Sequence, residues 1–270
     1  AANVAANLRA LGVDVKITGV VGDDREAGEV RRMVTDLGIN GDGLIETPGR
    51  ETTEKVRIIA RNQQVVRADF EAEDGLDRET SKRVFETVRA DANEYSALLV
   101  SDYGKGVISE DYLREAISVW RSRGKPVLVD PHVGHFQWYR GATVVTPNVK
   151  EVLRGTSLPP GTKDVSSDGA FRIRDELELD ALLVTRGEHG MSLYYEDGDE
   201  RREVHIPTVA KEVYDVTGAG DTVIGVLAAG LGAGVELVDA VVMANQAAGE
   251  AVKEVGTSVV TRETLVAAFE

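Results

Sequence analysis

The sequence predicts an α/β fold in which a doubly wound, mainly parallel sheet is flanked by helices and carries a small β-hairpin lid. Short apolar, β-branched segments alternate with amphipathic helical segments through most of the 270 residues. The apolar segments are continuous, as expected for strands that are covered on both faces. One segment, residues 44–70, lacks a helical period and contains alternating patterns, which predicts an antiparallel insertion.

The predicted elements have recognisable ends. A helix already under way at Val4 stops before Gly12, and a helix over 26–37 stops at Gly38, because glycine favours the conformation that closes a helix. Outside the insertion, the predicted strands are 15–21, 97–100, 127–129, 143–145 and 181–185. The remaining predicted helices are 110–123, a short one from 148, 171–179, 222–231, 237–252 and 262–269.

The insertion is predicted to be a hairpin of strands 53–61 and 64–70 that acts as a lid. A two-stranded unit with an apolar face is marginally stable alone, so we expect a homodimer that pairs through the lid. The strand alternation predicts a basic face formed by Lys55, Arg57 and Arg61 and an apolar face formed by Val56, Ile58 and Ala60.

Composition excludes several classes of protein. The chain has 31 Lys and Arg against 46 Asp and Glu, a net charge of −15, which argues against a nucleic-acid partner. No apolar run approaches the roughly 20 residues of a membrane-spanning helix. The absence of cysteine excludes disulfides, zinc–thiolate sites and thiol nucleophiles. No G-x-G-x-x-G opens the first βα unit, which argues against a dinucleotide-dependent oxidoreductase.

The densest chemical signal is the segment 215–221, DVTGAGD, which directly precedes an apolar helix. Gly218, Ala219 and Gly220 let the backbone approach a ligand closely, and their N–H groups at the helix start predict an anion hole. Asp221 beside it would accept a proton from a nucleophile that attacks a phosphoryl group. The structural alternative is a glycine-rich turn with Asp221 as an ordinary N-cap.

Three further segments follow predicted strands and have both a functional and a structural interpretation. Asn148 and Glu151 could organise Mg²⁺ and phosphates, or form a capping box. The segment 185–190 could contact a nucleotide phosphate, or form a tight βα or ββ turn. Asp102 could orient a sugar hydroxyl and Lys105 could meet a phosphate, or both could belong to a surface loop.

The segment 215–221 resembles the signature of the PfkB/ribokinase family of sugar kinases. Residues 1–5 resemble the end of that family's amino-terminal glycine-rich signature, and residues 255–258 are similar to its adenine-side loop. The resemblance extends over essentially all 270 residues and implies a ribokinase-like kinase domain over 1–270. It also implies that the family's first strand, with its substrate-binding Asp, is missing, so we expect the chain to be a piece of a longer protein.

Within the family, the segments 61–71, 101–106 and 212–215 resemble the kinase part of the bacterial enzymes that make ADP-heptose. This implies ATP-dependent phosphorylation of D-glycero-β-D-manno-heptose 7-phosphate at O1 in the cytoplasm. The chain departs from that pattern at His132, where heptose kinases usually carry Lys, and at His135, which replaces an Asp.

The resemblance also implies a role for each matching residue. Asp221 would be the base, and the backbone of 218–220 would hold the transferring phosphoryl group. Glu151 would hold Mg²⁺ through water, and Asp215 and Thr217 match positions that bind a monovalent cation such as K⁺ in some relatives. The remaining ATP contacts would be Asn148, Thr185, Gly187, Asn245, Gly256 and Ser258, and the sugar contacts would be Asn3, Asp23, Arg57, Arg61, Asp102 and Lys105.

Two alternatives stay open from the sequence. The first is a kinase of the same family that acts on another sugar or sugar phosphate. The second is a sugar- or nucleotide-binding regulator that keeps the fold without catalysis, which the intact Asp221 and 218–220 argue against.

Overall fold

The computed structural model describes residues 1–60, 63–72, 74–159, 161–210, 214–254 and 256–270. The helices of this part of the chain are α1 (Ala2–Ala10), α2 (Arg25–Asp36), α3 (Arg78–Asp91), α4 (Glu110–Arg121), α5 (Val149–Gly155), α6 (Ser167–Glu176), α7 (Ala219–Gly232), α8 (Leu237–Ala251) and α9 (Arg262–Ala267). The strands are β1 (Lys16–Val21), β2 (Asn40–Glu46), β3 (Glu54–Ala60), β4 (Gln63–Phe70), β5 (Leu98–Ser101), β6 (Val127–Asp130), β7 (Val144–Val145), β8 (Ala181–Thr185), β9 (Met191–Asp197) and β10 (Glu200–Ile206).

A six-stranded sheet in the order β10-β9-β8-β7-β6-β5 forms the centre of the fold. Strands β5 to β8 are parallel, whereas β9 and β10 are antiparallel to their neighbours. Successive residues of the parallel strands point to opposite faces. Leu128 belongs to the core that contains α7 and α8, while Val127 and Val129 belong to the core that contains α4 and α6. All three are fully buried, as the continuous apolar pattern predicted.

Strands β1 and β2 form a separate two-stranded parallel sheet. Its small core includes Val21, Val34 and Leu44. Strand β2 was not predicted. Residues 44–46 were expected at the start of the lid, whereas in the structure they pair with β1. The segment 40–46 carries two glycines, an Asn and an Asp, which are rare in strands, so only its pairing with β1 makes it a strand.

The predicted hairpin is present as β3 and β4. Ile58 pairs with Val66, and the register shifts between Ile58 and Ile59. Arg61, the proposed third member of the basic face, lies outside the described residues, as does Asn62 of the predicted turn.

Several elements differ from the sequence-based expectation. Helix α3 and strands β9 and β10 were not predicted, and α6 begins at Ser167 rather than at 171 because Ser166 caps it. The segment after β8 leads to the antiparallel strand β9 through a 3₁₀ turn over Gly187–His189. Of the βα and ββ turns considered for this segment, the structure therefore has the ββ turn. In the described part of the chain, no helix is long and apolar enough to cross a membrane.

Candidate active site

Four parallel strands end at the same edge of the central sheet. Ligands of open α/β sheets bind at this edge, because the loops that leave neighbouring strands diverge there and form a crevice. The loops at this edge are residues 102–109 after β5, 131–143 after β6, 146–148 after β7 and 186–190 after β8.

The start of α7 has the geometry of an anion site. Gly218 adopts a φ of 85°, and a Cβ at this position would lie 2.9 Å from Nδ2 of Asn3, so glycine is favoured twice over. Helix α7 begins at Ala219 and places Asp221 in its first turn. The N–H groups of a first turn have no partner within the helix, and the helix dipole is positive there. The arrangement suits a negatively charged group beside the Asp221 carboxylate.

Asp221 is held by α1, which packs against α7. Nδ2 of Asn3 donates a hydrogen bond of 2.7 Å to Oδ2 of Asp221. Asn7 supports this contact, because its Nδ2 donates to the backbone oxygen of Asn3 and its Oδ1 accepts from the hydroxyl of Thr222. Asn3, predicted to contact the sugar, therefore contacts Asp221 in the structure.

A second carboxyl group, missed by the sequence analysis, lies near Asp221. Asp130 ends β6, and burial together with the negative charges of Asp221 and Glu151 raises its pKa to about 7. A carboxyl with that pKa holds a proton at neutral pH about half of the time. The only local signal was an Asp that directly follows a buried strand. Its burial and its carboxylate neighbours come from distant segments.

Asn148 and Glu151 form the capping box that was left open as the structural alternative. Oδ1 of Asn148 accepts from the Glu151 amide at 3.0 Å, and Oε2 of Glu151 accepts from the Asn148 amide at 2.8 Å. Burial raises the pKa of Glu151. Among the described residues, no three His, Asp or Glu side chains are grouped to hold a metal. The site therefore fits a Mg²⁺ ion that is bound by one or two carboxylates together with the substrate phosphates.

The residues after β8 are tied to neighbouring loops. Thr185 bridges to Asn148 and its amide donates to the Pro147 oxygen at 2.9 Å, so the ends of β7 and β8 are adjacent. Gly187 has a φ of 58°, which favours glycine. The half-buried Arg186 donates to Asp164 at 2.6 Å and thereby anchors the loop before α6 to this edge. The predicted nucleotide contacts Thr185 and Gly187 thus lie beside Asn148.

Asp215 joins two loops next to α7. Its Oδ1 accepts from the Thr217 amide at 2.9 Å and its Oδ2 from the Gly256 amide at 3.0 Å. Hydrogen bonds from Thr217, and then from Gly256, lower the pKa of Asp215. Each carboxylate oxygen keeps a further lone pair that a cation can use. The other predicted nucleotide residues, Asn245 and Ser258, donate their side-chain hydrogen bonds to backbone oxygens, at 2.9 Å each.

Asp102 lies in a buried hydrogen-bonded cluster. Its side chain is 2% exposed, and Oδ2 contacts the Tyr139 hydroxyl and Nδ1 of His135, both at 2.8 Å. Its Oδ1 accepts from the Gly104 amide at 2.8 Å. The ring of His135 stacks on Trp138 with centroids 3.6 Å apart. In this arrangement Asp102 orients His135, and the imidazole is the more accessible group of the pair.

The other predicted sugar residues lie toward the lid. Oδ1 of Asp23 accepts from the Gly49 amide at 3.1 Å. Lys105 forms an ion pair with Glu71, which follows β4 and was not singled out in the sequence. Arg57 pairs with Arg67 in the backbone register of the hairpin, and Arg61 lies outside the described residues.

Comparisons with known proteins identify the family of the chain. A family model described as pfkB family carbohydrate kinase matches residues 1–264. The Bifunctional protein HldE of Geotalea uraniireducens (strain Rf4) is 45% identical over 267 residues, which are 99% of this chain and 54% of that protein. The chain thus spans about half the length of the curated relatives it matches.

Solved structures are similar in fold. A putative ribokinase from Agrobacterium tumefaciens has a TM-score of 0.80 at 21% identity and covers 99% of this chain and 84% of its own. Arabidopsis thaliana ribokinase complexed with ribose and ATP has a TM-score of 0.77 at 19% identity and covers 100% of this chain and 86% of its own. These likenesses confirm the predicted fold class.

Proposed function

The chain belongs to the pfkB family of carbohydrate kinases, and from this premise we propose that it transfers the γ-phosphoryl group of ATP to O1 of D-glycero-β-D-manno-heptose 7-phosphate. The product would be the 1,7-bisphosphate, a precursor of ADP-heptose. The proposal is supported by the segments that resemble heptose 7-phosphate kinases and by the 45% identity to an HldE protein.

The observation that carries the proposal is the position of Asp221 at the start of α7, in contact with Asn3. Asp221 would accept the proton of the attacking hydroxyl, while backbone N–H groups of 218–220 stabilise the charge on the transferring phosphoryl group. A positioned base commonly contributes 10²–10⁴-fold to the rate.

Asp130 would hold a proton close to the proposed base. Burial, and then the negative charges of Asp221 and Glu151, raise the pKa of Asp130 to about 7, so this carboxyl is protonated in part of the molecules at neutral pH. A protonated Asp130 would place less negative charge beside the transferring phosphoryl group than an ionised one.

We propose Mg²⁺ and K⁺ as the ions of this reaction. Glu151 would hold Mg²⁺ through water, and Mg²⁺ would neutralise charge on the ATP phosphates. Asp215 and Thr217 would bind K⁺ beside the anion site through the lone pairs that their loop contacts leave open. The nucleotide would lie near Asn148, Thr185 and Gly187.

We also propose a cytoplasmic homodimer. The location follows from the use of ATP. On the lid, Ile58, Val66 and Phe70 are each about half exposed, at 51%, 48% and 51%. An apolar face of this kind on a two-stranded unit is stabilised when a second copy covers it.

A kinase for a different sugar phosphate is the second candidate, and the Asp102 cluster favours it. His135 contacts Asp102 at a position where heptose kinases carry a different residue, so the sugar pocket has its own chemistry here. The discriminating experiment measures ADP release with a panel of phosphorylated and free sugars.

In that panel, heptose 7-phosphate should have the highest kcat/KM, and Asp221→Asn should lose at least about 100-fold in kcat. Asp239→Asn on the exposed start of α8 is the matched control and should retain activity. A preference for another sugar phosphate would favour the second candidate. Tight ligand binding without ADP release would instead indicate a regulator.

A further inference from the structure

Two lysines from distant parts of the chain converge on the carboxylate of Glu71. Nζ of Lys55, on the lid strand β3, lies 3.2 Å from Oε2 of Glu71, and Nζ of Lys105, on the loop after β5, contacts Oε1. The Glu71 side chain is 16% exposed, while the lysines are exposed by about a third. Hydrogen bonding to Lys105, and then to Lys55, lowers the pKa of Glu71, so the group is an anion at neutral pH.

The loop that carries Lys105 is fixed in place. The guanidinium of Arg50 donates to the backbone oxygens of Lys105 and Asp74, at 2.8 and 3.0 Å. The Leu76 amide donates to the Gly106 oxygen at 3.2 Å. These contacts join the segments on either side of the lid to the loop after β5. The backbone position of Lys105 therefore does not depend on Glu71. Nζ of Lys55 lies 3.2 Å from Oδ2 of Asp69 as well as 3.2 Å from Glu71, so a second carboxylate keeps it beside the subsite.

The loop that carries Lys105 also reaches the proposed catalytic base. Burial, and then the negative charge of Asp221, raise the pKa of Tyr103, so this tyrosine lies near Asp221. Lys105 is two positions further along the loop, so its Cα lies within about 7 Å of that of Tyr103. The proposal places the reacting hydroxyl of the sugar at Asp221 and its phosphate at the lysines.

We propose that Lys55 and Lys105 form the subsite for the phosphate monoester of the sugar substrate, and that Glu71 occupies this subsite until the phosphate displaces it. The proposal rests on the proposed function, because it assumes a phosphorylated sugar. A phosphate monoester carries a charge of about −1.5 to −2 at pH 7, against −1 for a carboxylate, and offers three acceptor oxygens. It therefore competes effectively with Glu71 for two ammonium groups.

The two lysines select for phosphorylated substrates, because a free sugar carries no charge with which to displace Glu71. A sugar phosphate releases Glu71 and forms a new contact between the lid and the loop after β5. Glu71 competes for the lysines and so lowers the affinity for the phosphate, while binding of a neutral sugar does not depend on it.

Glu71→Gln tests the proposal, because it keeps the size of the side chain and removes its charge. Calorimetric titration without ATP should show heptose 7-phosphate binding about 3- to 10-fold more tightly than to the wild type, and binding of the unphosphorylated heptose should not change. Glu54→Gln, on the same hairpin and without an ion pair to these lysines, is the matched control for net charge and should bind like the wild type.

Lys105→Gln should weaken binding of the sugar phosphate by at least about 10-fold. The double variant Glu71→Gln/Lys105→Gln should not show the tighter binding of the sugar phosphate that is expected for Glu71→Gln alone. If Glu71→Gln binds the sugar phosphate equally or more weakly than Glu54→Gln, the carboxylate only holds the lid and the proposal is wrong. If the wild type neither binds nor phosphorylates any sugar phosphate in the panel, the proposed function is wrong.

Inorganic phosphate provides a test that does not depend on the identity of the sugar. Added phosphate should raise the melting temperature of Glu71→Gln more than that of Glu54→Gln, because Lys105 then loses its carboxylate partner and Lys55 keeps only Asp69, so both bind the anion more readily. Lys105→Gln in the Glu71→Gln background should abolish the difference. Equal shifts in all variants would overturn the proposal even where the sugar is unknown.

Discussion

The amide of Asn3 donates a hydrogen bond of 2.7 Å to the carboxylate of Asp221, which is 218 positions further along the chain. The bond joins the first turn of α1 to the first turn of α7 and uses Oδ2 of Asp221. A carboxylate has about four lone-pair sites, so this bond leaves sites for a substrate hydroxyl. Asn3 therefore orients the proposed base without blocking it.

Loss of the Asn3 amide should slow the reaction without changing nucleotide binding. Asn3→Leu keeps a similar size and removes the donor, so we expect kcat to fall about 10-fold, because misplaced catalytic groups lose rate steeply. The KM for ATP should stay within about two-fold. Asn93→Leu, at an exposed site after α3, is the control. A wild-type kcat for Asn3→Leu would show that Asp221 needs no such support.

Asp130 should make stability depend on pH. Because the pKa of Asp130 is about 7 in the folded protein, against an ordinary value of 3.8, the folded state binds more protons than the unfolded state between these pH values. Stability from this group is therefore lost as pH rises from about 4 to 7. Asp130→Asn should gain stability relative to the wild type between pH 5 and pH 8, by about 3 kcal/mol at most, because each pKa unit corresponds to about 1.4 kcal/mol.

Urea denaturation at the two pH values measures this difference. Asp239→Asn, which is exposed, should show the same offset from the wild type at both. If the gap between Asp130→Asn and the wild type is the same at pH 5 and pH 8, the Asp130 carboxyl does not titrate in this range.

The capping box allows the structural and the ionic roles of Glu151 to be separated. Glu151→Gln can still accept from the Asn148 amide, so its unfolding free energy should stay within about 0.5 kcal/mol of the wild type. Asn148→Ala removes the cap and should cost about 1 kcal/mol. Only Glu151→Gln removes the charge, so it should raise the Mg²⁺ concentration needed for half-maximal rate about 10-fold. An unchanged Mg²⁺ requirement would limit Glu151 to capping.

The exposed face of the lid should determine the oligomeric state. Light scattering at micromolar concentration should give a dimer mass for the wild type and a monomer mass for Ile58→Asp, because a charge in a buried interface is costly. Met33→Asp changes a similarly exposed apolar residue on α2 and should remain dimeric. A monomeric wild type would remove the lid as the dimer interface.

Much of the fold follows from local patterns. Residues 127–129 and 181–185 are continuous apolar segments, and they form strands buried on both faces because only such segments tolerate burial on both sides. The predicted family membership is confirmed by the family model that matches residues 1–264. It could be predicted because the segment 215–221 is a contiguous signature whose turn and helix start are encoded locally. Strand β2, by contrast, needs β1 beside it to form, so its own residues do not predict it.

The sequence by itself determined the α/β class, the β3–β4 hairpin and the position of Asp221 at a helix start, because these depend on residues close together in the chain. Only the tertiary structure decided which groups surround that Asp. Asn3 donates to this Asp from α1, and Asp130, with its raised pKa, lies near it at the end of β6. Elsewhere, Glu71 pairs with Lys105 across distant segments. Desolvation and charge interactions act through space, so a linear pattern of residue types does not specify them.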